Sequence, residues 1–222
     1  MPNTPKQRTP TTARPKRKHF SMLRTFVLAD LITLGNASFG TAVIFTCLNY
    51  LANGPVKEHY LWLAFVFPPI CVLFDWADGW VARKTKRHSA IGADLDSLSD
   101  VISFGVAPAV LGFTLGLRGG YDMAILVFFV ACGISRLARY NVTASSMADA
   151  SGKVKYFEGT PIPMSLIIVG LLLIAYLSGN VGVDGIWGGH YRLGPWGFHP
   201  FSIAYFIMGC TMISQTLHIP KL

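Results

Sequence analysis

Charged residues and cysteines are both scarce in this sequence. Only 14% of the 222 residues are charged, whereas 52% are hydrophobic. A soluble domain usually carries about 25% charged residues, so the deficit argues against an ordinary soluble protein. The four cysteines all lie in apolar stretches, without a Cys-x2-Cys pair: Cys47, Cys71, Cys132 and Cys210. This placement indicates small buried side chains and gives no sign of a zinc site or a disulfide framework.

Long apolar stretches account for the low content of charged residues. A helix needs about 17–25 apolar residues to cross a hydrocarbon core of about 30 Å. Six stretches approach that length, at 29–52, 59–82, 101–117, 121–141, 161–179 and 198–216. Because backbone exposed to lipid must satisfy its own hydrogen bonds, these stretches predict helices. The expected fold is therefore all-α, a polytopic membrane bundle of about six transmembrane helices.

The basic residues are distributed unequally between the two sides of that predicted bundle. Six spans place both termini on one side, and only Lys57, Arg118 and Arg192 of the 19 lysines and arginines then fall on the other. The remaining 16 mark their side as cytosolic by the positive-inside rule. The net charge of +8 is thus explained by anionic lipid headgroups, and no nucleic-acid partner is expected.

Two segments stand apart from the apolar stretches. Residues 1–19 are rich in Pro, Thr, Lys and Arg, which predicts a disordered basic cytosolic tail before a membrane domain at 20–222. Residues 180–200 are rich in Gly, Pro and Trp and are interpreted as a non-cytosolic loop with aromatic residues at the interface. His190 and His199 in this loop are predicted to be solvated rather than to bind a ligand.

Carboxylates concentrate where the second apolar stretch ends and the third begins. Asp75 and Asp78 are three residues apart, and Asp96 and Asp100 are four apart, so each pair shares a helix face. Carboxylates at the edge of a bilayer are costly unless they are paired or bind cations, and they therefore mark function. An anionic rim that pairs with nearby Arg and Lys is the structural alternative.

The spacing of residues 75–100 favours function over that alternative. The stretch reads Asp-x2-Asp-Gly-x2-Ala-Arg-x8-Gly-x3-Asp-x3-Asp, and its fixed positions are Asp75, Asp78, Gly79, Ala82, Arg83, Gly92, Asp96 and Asp100. It resembles the signature of the CDP-alcohol phosphatidyltransferase family, with no departure. The resemblance implies transfer of a phosphatidyl group from a CDP-linked lipid to an alcohol, with release of CMP.

The residue types of this motif suit that chemistry. Four carboxylates from two helices can hold Mg²⁺ or Mn²⁺, which binds oxygen ligands and stabilises charge on a pyrophosphate. Gly79 and Gly92 allow a nucleotide to approach the backbone, and Arg83 can donate two hydrogen bonds to a phosphate. The resemblance further implies that Ser89 contacts the nucleotide and that Asp100, besides binding metal, is the general base for the acceptor hydroxyl.

Four further stretches resemble the serine-using members of the family, and two of them the fungal type especially. They are LADLITLGN (28–36), LDSLSDVISFGVAPA (95–109), SRLARYN (135–141) and GKVKYFEGTPIP (152–163). The first departs from many relatives, which have Pro-Asn where this chain has Ala29-Asp30. The resemblance implies CDP-diacylglycerol and L-serine as substrates, phosphatidylserine as product, the endoplasmic reticulum as location, and a homodimer or higher homo-oligomer.

Arg136 and Arg139 are the candidate residues for recognising the acceptor. An arginine can bind the carboxylate of an amino acid in a planar fork, and the resemblance implicates this segment, with Tyr140, in the serine site. Both arginines could instead snorkel to headgroups or balance the aspartates.

Two rival functions remain open from the sequence. One is a transferase of the same family with inositol or glycerol phosphate as acceptor. The other is a cation transporter with carboxylates along its ion pathway.

Overall fold

Most helices of this protein occupy the predicted apolar stretches. The computed structural model describes residues 27–85, 91–147, 156–182, 186–214 and 218–220. Ser89 and the predicted tail at 1–19 lie outside these ranges. The helices are α1 (Leu28–Asn53), α2 (His59–Thr85), α3 (Gly92–Asp100), α4 (Ala107–Leu115), α5 (Gly120–Met147), α6 (Leu166–Leu177) and α7 (Ser202–Ile213). Short 3₁₀ segments at Gly54–Lys57 and Ile162–Ser165 precede α2 and α6.

Two antiparallel pairs of short strands complete the described structure. Strand β1 (Tyr156–Glu158) pairs with β4 (His218–Pro220), with Phe157 opposite Ile219. Strand β2 (Tyr191–Leu193) pairs with β3 (Trp196–Phe198) as a hairpin, with Arg192 opposite Gly197. The predicted all-α class is confirmed, since each strand has only three residues.

Four segments are long and apolar enough to cross a membrane: Leu28–Asn53, His59–Thr85, Gly92–Leu115 and Gly120–Val142. Two shorter apolar helices, Ile162–Leu177 and Ser202–Ile213, coincide with the last two predicted spans. At 1.5 Å per residue, the 12 residues of α7 extend about 18 Å, less than a full hydrocarbon core. The chain is thus an integral membrane protein with four full-length spans and two shorter helices among the described residues.

The third span begins nine residues earlier than predicted, at Gly92 rather than at 101. It consists of α3, a π-helical turn at Val101–Val106 and α4. Pro108 has no N–H to donate to the carbonyl of Phe104, which accounts for irregular backbone at this point. Hydropathy alone missed α3, because its polar residues Ser99 and Asp100 contact α1 instead of lipid.

Close packing of α1 places its backbone against the π-helical turn. A Cβ on Gly40 would lie only 2.8 Å from the Cα of Ser103, so the two backbones can approach only because this residue is glycine. The Ser103 hydroxyl donates to the carbonyl of Asn36 at 3.0 Å. Helix α1 also packs along α2, and α5 packs against α7. The core formed in this way fixes α1, α2 and α3 relative to one another.

The β2–β3 hairpin is docked on the N-terminal end of α5 by a buried pair. Asp122 accepts hydrogen bonds from the backbone N–H of Gly119 (2.9 Å) and of His199 (2.8 Å), and its carboxylate lies 2.6 Å from His199 Nδ1. Both side chains are fully buried. The prediction that His199 is solvated was therefore wrong, because its partner is 77 residues away in the sequence.

Candidate active site

Helices α2 and α3 bring three motif aspartates together. Carboxylate oxygens of Asp75, Asp78 and Asp96 all lie within 4.8 Å of one another. Asp78 is buried, while the other two are partly exposed. The spacings Asp75–Asp78 and Asp96–Asp100 place each pair on one face of its helix, and the two faces meet. We refer to Asp75, Asp78 and Asp96 as the carboxylate cluster.

The fourth motif aspartate, Asp100, is buried and lies next to the cluster. It is only 7% exposed and interacts electrostatically with the three cluster aspartates and with Arg136. Asn36 Nδ2 donates to its Oδ1 at 3.4 Å. Among the described residues, Asp100 is thus the one motif aspartate that accepts a hydrogen bond from a side-chain amide of α1.

Helix α1 forms a wall of the site that the motif did not reveal. The Thr33 hydroxyl donates to Asp78 Oδ2 at 2.7 Å, and the Ser99 hydroxyl donates to the Thr33 carbonyl at 2.9 Å. Asn36 contributes the amide that contacts Asp100. The sequence contained one signal, the resemblance of residues 28–36 to the serine-using relatives, but that resemblance assigned no role to Thr33 or Asn36.

Arg136 approaches the carboxylates from α5. It is 7% exposed, its charge acts on Asp100, and its Nε has no hydrogen-bond partner among the described residues. A buried guanidinium N–H without a partner costs free energy unless a ligand supplies an acceptor. Arg139 and Tyr140 are partly exposed and lie within electrostatic reach of Arg136. The structure therefore distinguishes two arginines that the sequence could not rank.

The remaining motif positions lie along α2 and at the start of α3. Arg83 is exposed, and its Nη1 would lie 3.4 Å from a Cβ on Gly79 one turn earlier, so the guanidinium lies over the glycine backbone. Gly92 begins α3. Ser89, the other residue expected to contact the nucleotide, lies outside the described ranges.

The carboxylate cluster fits a divalent cation. Carboxylate oxygens are the hard ligands that Mg²⁺ and Mn²⁺ prefer, and three of them converge here from two helices. Asp96 Oδ1 is buried and has no hydrogen-bond partner in the described part of the chain. Neighbouring carboxylates repel one another at this depth, and a bound cation would remove that repulsion.

Comparison with known proteins agrees with the geometry. The chain is 43% identical over 206 residues to the CDP-diacylglycerol–serine O-phosphatidyltransferase of Saccharomyces cerevisiae, covering 91% of this chain and 74% of the yeast protein. It is 34% identical over 165 residues to the enzyme of the same name in Methanocaldococcus jannaschii, covering 73% and 69% of the two chains.

A third relative has a different name. The archaetidylserine synthase of Methanothermobacter thermautotrophicus is 40% identical over 155 residues, which are 68% of this chain and 58% of that protein. The family model of the CDP-alcohol phosphatidyltransferases matches residues 26–212 and so includes all four motif aspartates, α1 and Arg136. This chain belongs to the CDP-alcohol phosphatidyltransferase family.

Proposed function

We propose that this protein transfers the phosphatidyl group of CDP-diacylglycerol to the hydroxyl of L-serine, giving phosphatidylserine and CMP. The observation that carries the proposal is the position of buried Arg136 beside Asp100 and the carboxylate cluster. A carboxylate-binding group thus stands next to a site suited to pyrophosphate chemistry. The names of the yeast and Methanocaldococcus relatives support the same substrates.

Each group at the site has a separate task in this proposal. Asp75, Asp78 and Asp96 hold Mg²⁺ or Mn²⁺, with Asp100 as a further ligand, and the cation supplies charge stabilisation for the pyrophosphate when bound. Asp100 accepts the proton of the serine hydroxyl. The serine oxygen then forms a bond to the lipid-proximal phosphorus, the bond from that phosphorus to the bridging oxygen breaks, and CMP leaves.

Two sets of residues recognise the two substrates. Arg136, with Arg139 and Tyr140, binds the serine carboxylate from α5, and the partnerless Nε of Arg136 supports this assignment. The CDP-lipid is bound by the motif residues outside the carboxylates. Gly79 and Gly92 give access to the backbone, Arg83 donates to phosphate, and Ser89 contacts the nucleotide.

A radiolabelled-serine assay on membranes containing the protein tests the function. With CDP-diacylglycerol and Mg²⁺ or Mn²⁺ present, label should enter phosphatidylserine, and CMP should appear in equal amount. CMP release that depends on inositol or glycerol phosphate, with no response to serine, would assign the other acceptor. Cation flux into proteoliposomes without CMP release would identify a transporter.

Removal of a cluster aspartate should weaken cation binding. Asp75→Ala or Asp96→Ala is expected to raise the Mg²⁺ or Mn²⁺ concentration for half-maximal activity by at least about tenfold, because ligand charge tunes cation affinity over decades. Excess cation should restore part of the activity. The measurement is a cation titration at saturating CDP-diacylglycerol and serine.

Asp94→Ala is the matched control for this titration. Asp94 is on the same helix α3 but is exposed and outside the cluster. Its variant should respond to cation as the unchanged protein does. An Asp75 or Asp96 variant with the same cation response as Asp94→Ala would contradict the ligand assignment.

Asn36 should position Asp100 for proton transfer. Asn36→Ala removes the amide that lies 3.4 Å from Asp100, and we expect the maximal rate to fall about tenfold while both Michaelis constants change little. Asn49→Ala, at an exposed position of the same helix, is the control. If Asn36→Ala lowered only thermal stability and left the maximal rate unchanged, Asn36 would be a packing residue.

The cellular setting forms a further part of the proposal. The distribution of Lys and Arg supports cytosolic termini and a cytosol-facing active site. The endoplasmic reticulum as the membrane and a homodimer or higher homo-oligomer as the assembly are proposed from the resemblance of the sequence to fungal-type family members. Glycosylation-site mapping at the termini and cross-linking in intact membranes test these two points.

A further inference from the structure

A cavity lies on the face of the protein opposite the aspartates. Its volume is about 680 Å³, and it is bounded by the segment between α4 and α5 and by the β2–β3 hairpin. The third span separates it from Asp96 and Asp100, because the cavity residue Arg118 follows the far end of that span. The proposed transfer reaction uses none of the residues that line this cavity.

The cavity has a fixed framework. The Asp122–His199 pair holds the hairpin against α5, and His199 forms part of the cavity wall. A Cβ on Gly119 would overlap the carbonyl of Gly197, and a Cβ on Gly120 would overlap the Trp196 ring. Backbone and ring contacts this close leave the hairpin little freedom to shift relative to α5.

The lining of the cavity is cationic. The Arg118 guanidinium donates from Nε to the Phe113 carbonyl (3.2 Å) and from Nη2 to the Thr114 carbonyl (3.0 Å), which orients it and leaves further N–H groups for a ligand. Arg192, on β2, also lines the cavity and makes no ion pair with any carboxylate in the described ranges.

Two further features of the cavity suit an anionic ligand. The imidazole ring of His190 lies 4.9 Å from that of His199, centroid to centroid, and both rings line the cavity. The N-terminal end of α5, at Gly119 and Gly120, opens into the same space and carries the positive end of the helix dipole. Asp122, the acidic residue beside it, already accepts hydrogen bonds from the backbone N–H groups of Gly119 and His199, and its carboxylate contacts His199 Nδ1.

Exposed aromatic and apolar side chains on the hairpin indicate what kind of anion could reach this cavity. Tyr191 is 55% exposed, Leu193 52% and Trp196 52%, and Tyr121 on α5 packs against the Trp196 ring. Tyr and Trp favour the level of the lipid headgroups at a membrane surface. We propose that the cavity binds the phosphate of an anionic phospholipid headgroup in the leaflet opposite the active site.

Binding of a short-chain lipid to the full-length protein in detergent tests the proposal. The probe is dioctanoyl phosphatidic acid, and binding is measured by native mass spectrometry with saturating CDP present to occupy the aspartate site. We expect Arg192→Gln to weaken binding at least about tenfold, the effect of losing a charge-assisted hydrogen bond. Lys57→Gln, a cation on the same face that does not line the cavity, should bind the lipid as the unchanged protein does.

A second variant and two competitors test whether the ligand is the phosphate of a lipid. Arg118→Gln should also weaken binding, and it provides a second variant if Arg192→Gln does not fold. Dioctanoyl glycerol, which has no phosphate, should not compete with the probe. Equal binding by the Arg192→Gln and Lys57→Gln proteins would overturn the proposal. Displacement of the lipid by inorganic phosphate at equal concentration would overturn it too, because the ligand would then be a soluble anion.

Discussion

Asp100→Asn is expected to lower turnover by about 10²–10⁴-fold, the usual cost of removing a positioned general base. An amide of the same size cannot accept the proton of the serine hydroxyl, so the reaction should fail at the chemical step. Asp100 is buried next to the carboxylate cluster, and Asn36 donates to it. The substitution preserves the volume of the side chain, and the fold and the binding of CDP-diacylglycerol should persist.

The measurement is single-turnover CMP release at saturating serine, CDP-diacylglycerol and cation. Asp94→Asn makes the same chemical change at an exposed position of α3 and should retain normal turnover. Thermal unfolding of each variant in detergent separates a lost base from a lost fold. Near-normal turnover of a folded, cation-saturated Asp100→Asn protein would show that another group accepts the proton.

Arg136→Lys is expected to raise the Michaelis constant for serine by about 10- to 150-fold, the equivalent of one lost hydrogen bond to a charged group. Lysine keeps the positive charge beside Asp100 but cannot bind a carboxylate with a planar fork. The Michaelis constant for CDP-diacylglycerol should change little. Arg139→Lys should shift the serine constant less, because Arg139 is less buried than Arg136.

Arg83→Lys provides the opposite control, since Arg83 lies on α2 over Gly79 and is assigned to the CDP-lipid. Its substitution should raise the Michaelis constant for CDP-diacylglycerol and leave that for serine nearly unchanged. The experiment titrates each substrate at a fixed concentration of the other. A change confined to the CDP-diacylglycerol constant in Arg136→Lys would make Arg136 a phosphate contact and would remove the main physical support for serine. The assignment to phosphatidyl transfer would still rest on the motif.

Residues close together in the sequence were predicted well. Asp75 and Asp78 share a helix face because of their spacing alone, and the structure brings that face to Asp96 within 4.8 Å. The apolar stretches predicted the helices for the same reason, since a lipid-facing backbone has no alternative to internal hydrogen bonds. Length and spacing are local properties, and local properties can be read without coordinates.

The start of the third span shows where this reasoning ends. Hydropathy placed it at 101, but the helix begins at Gly92, because Ser99 and Asp100 bond to α1 and are not exposed to lipid. A hydropathy window treats every polar residue as a cost. It cannot register a partner on another helix that offsets that cost.

The sequence by itself determined the membrane bundle, the family and which motif aspartates share a helix face, because each depends on composition or on fixed spacing. Only the tertiary structure decided which distant groups meet them. Thr33 and Asn36 reach residues 45 and 64 positions away, and His199 is buried by Asp122 across 77 positions. Arg136 on α5 is buried and interacts electrostatically with Asp100, whereas Arg139 is partly exposed. Helix rotation and long-range packing depend on the whole core at once, and no short stretch of sequence encodes them.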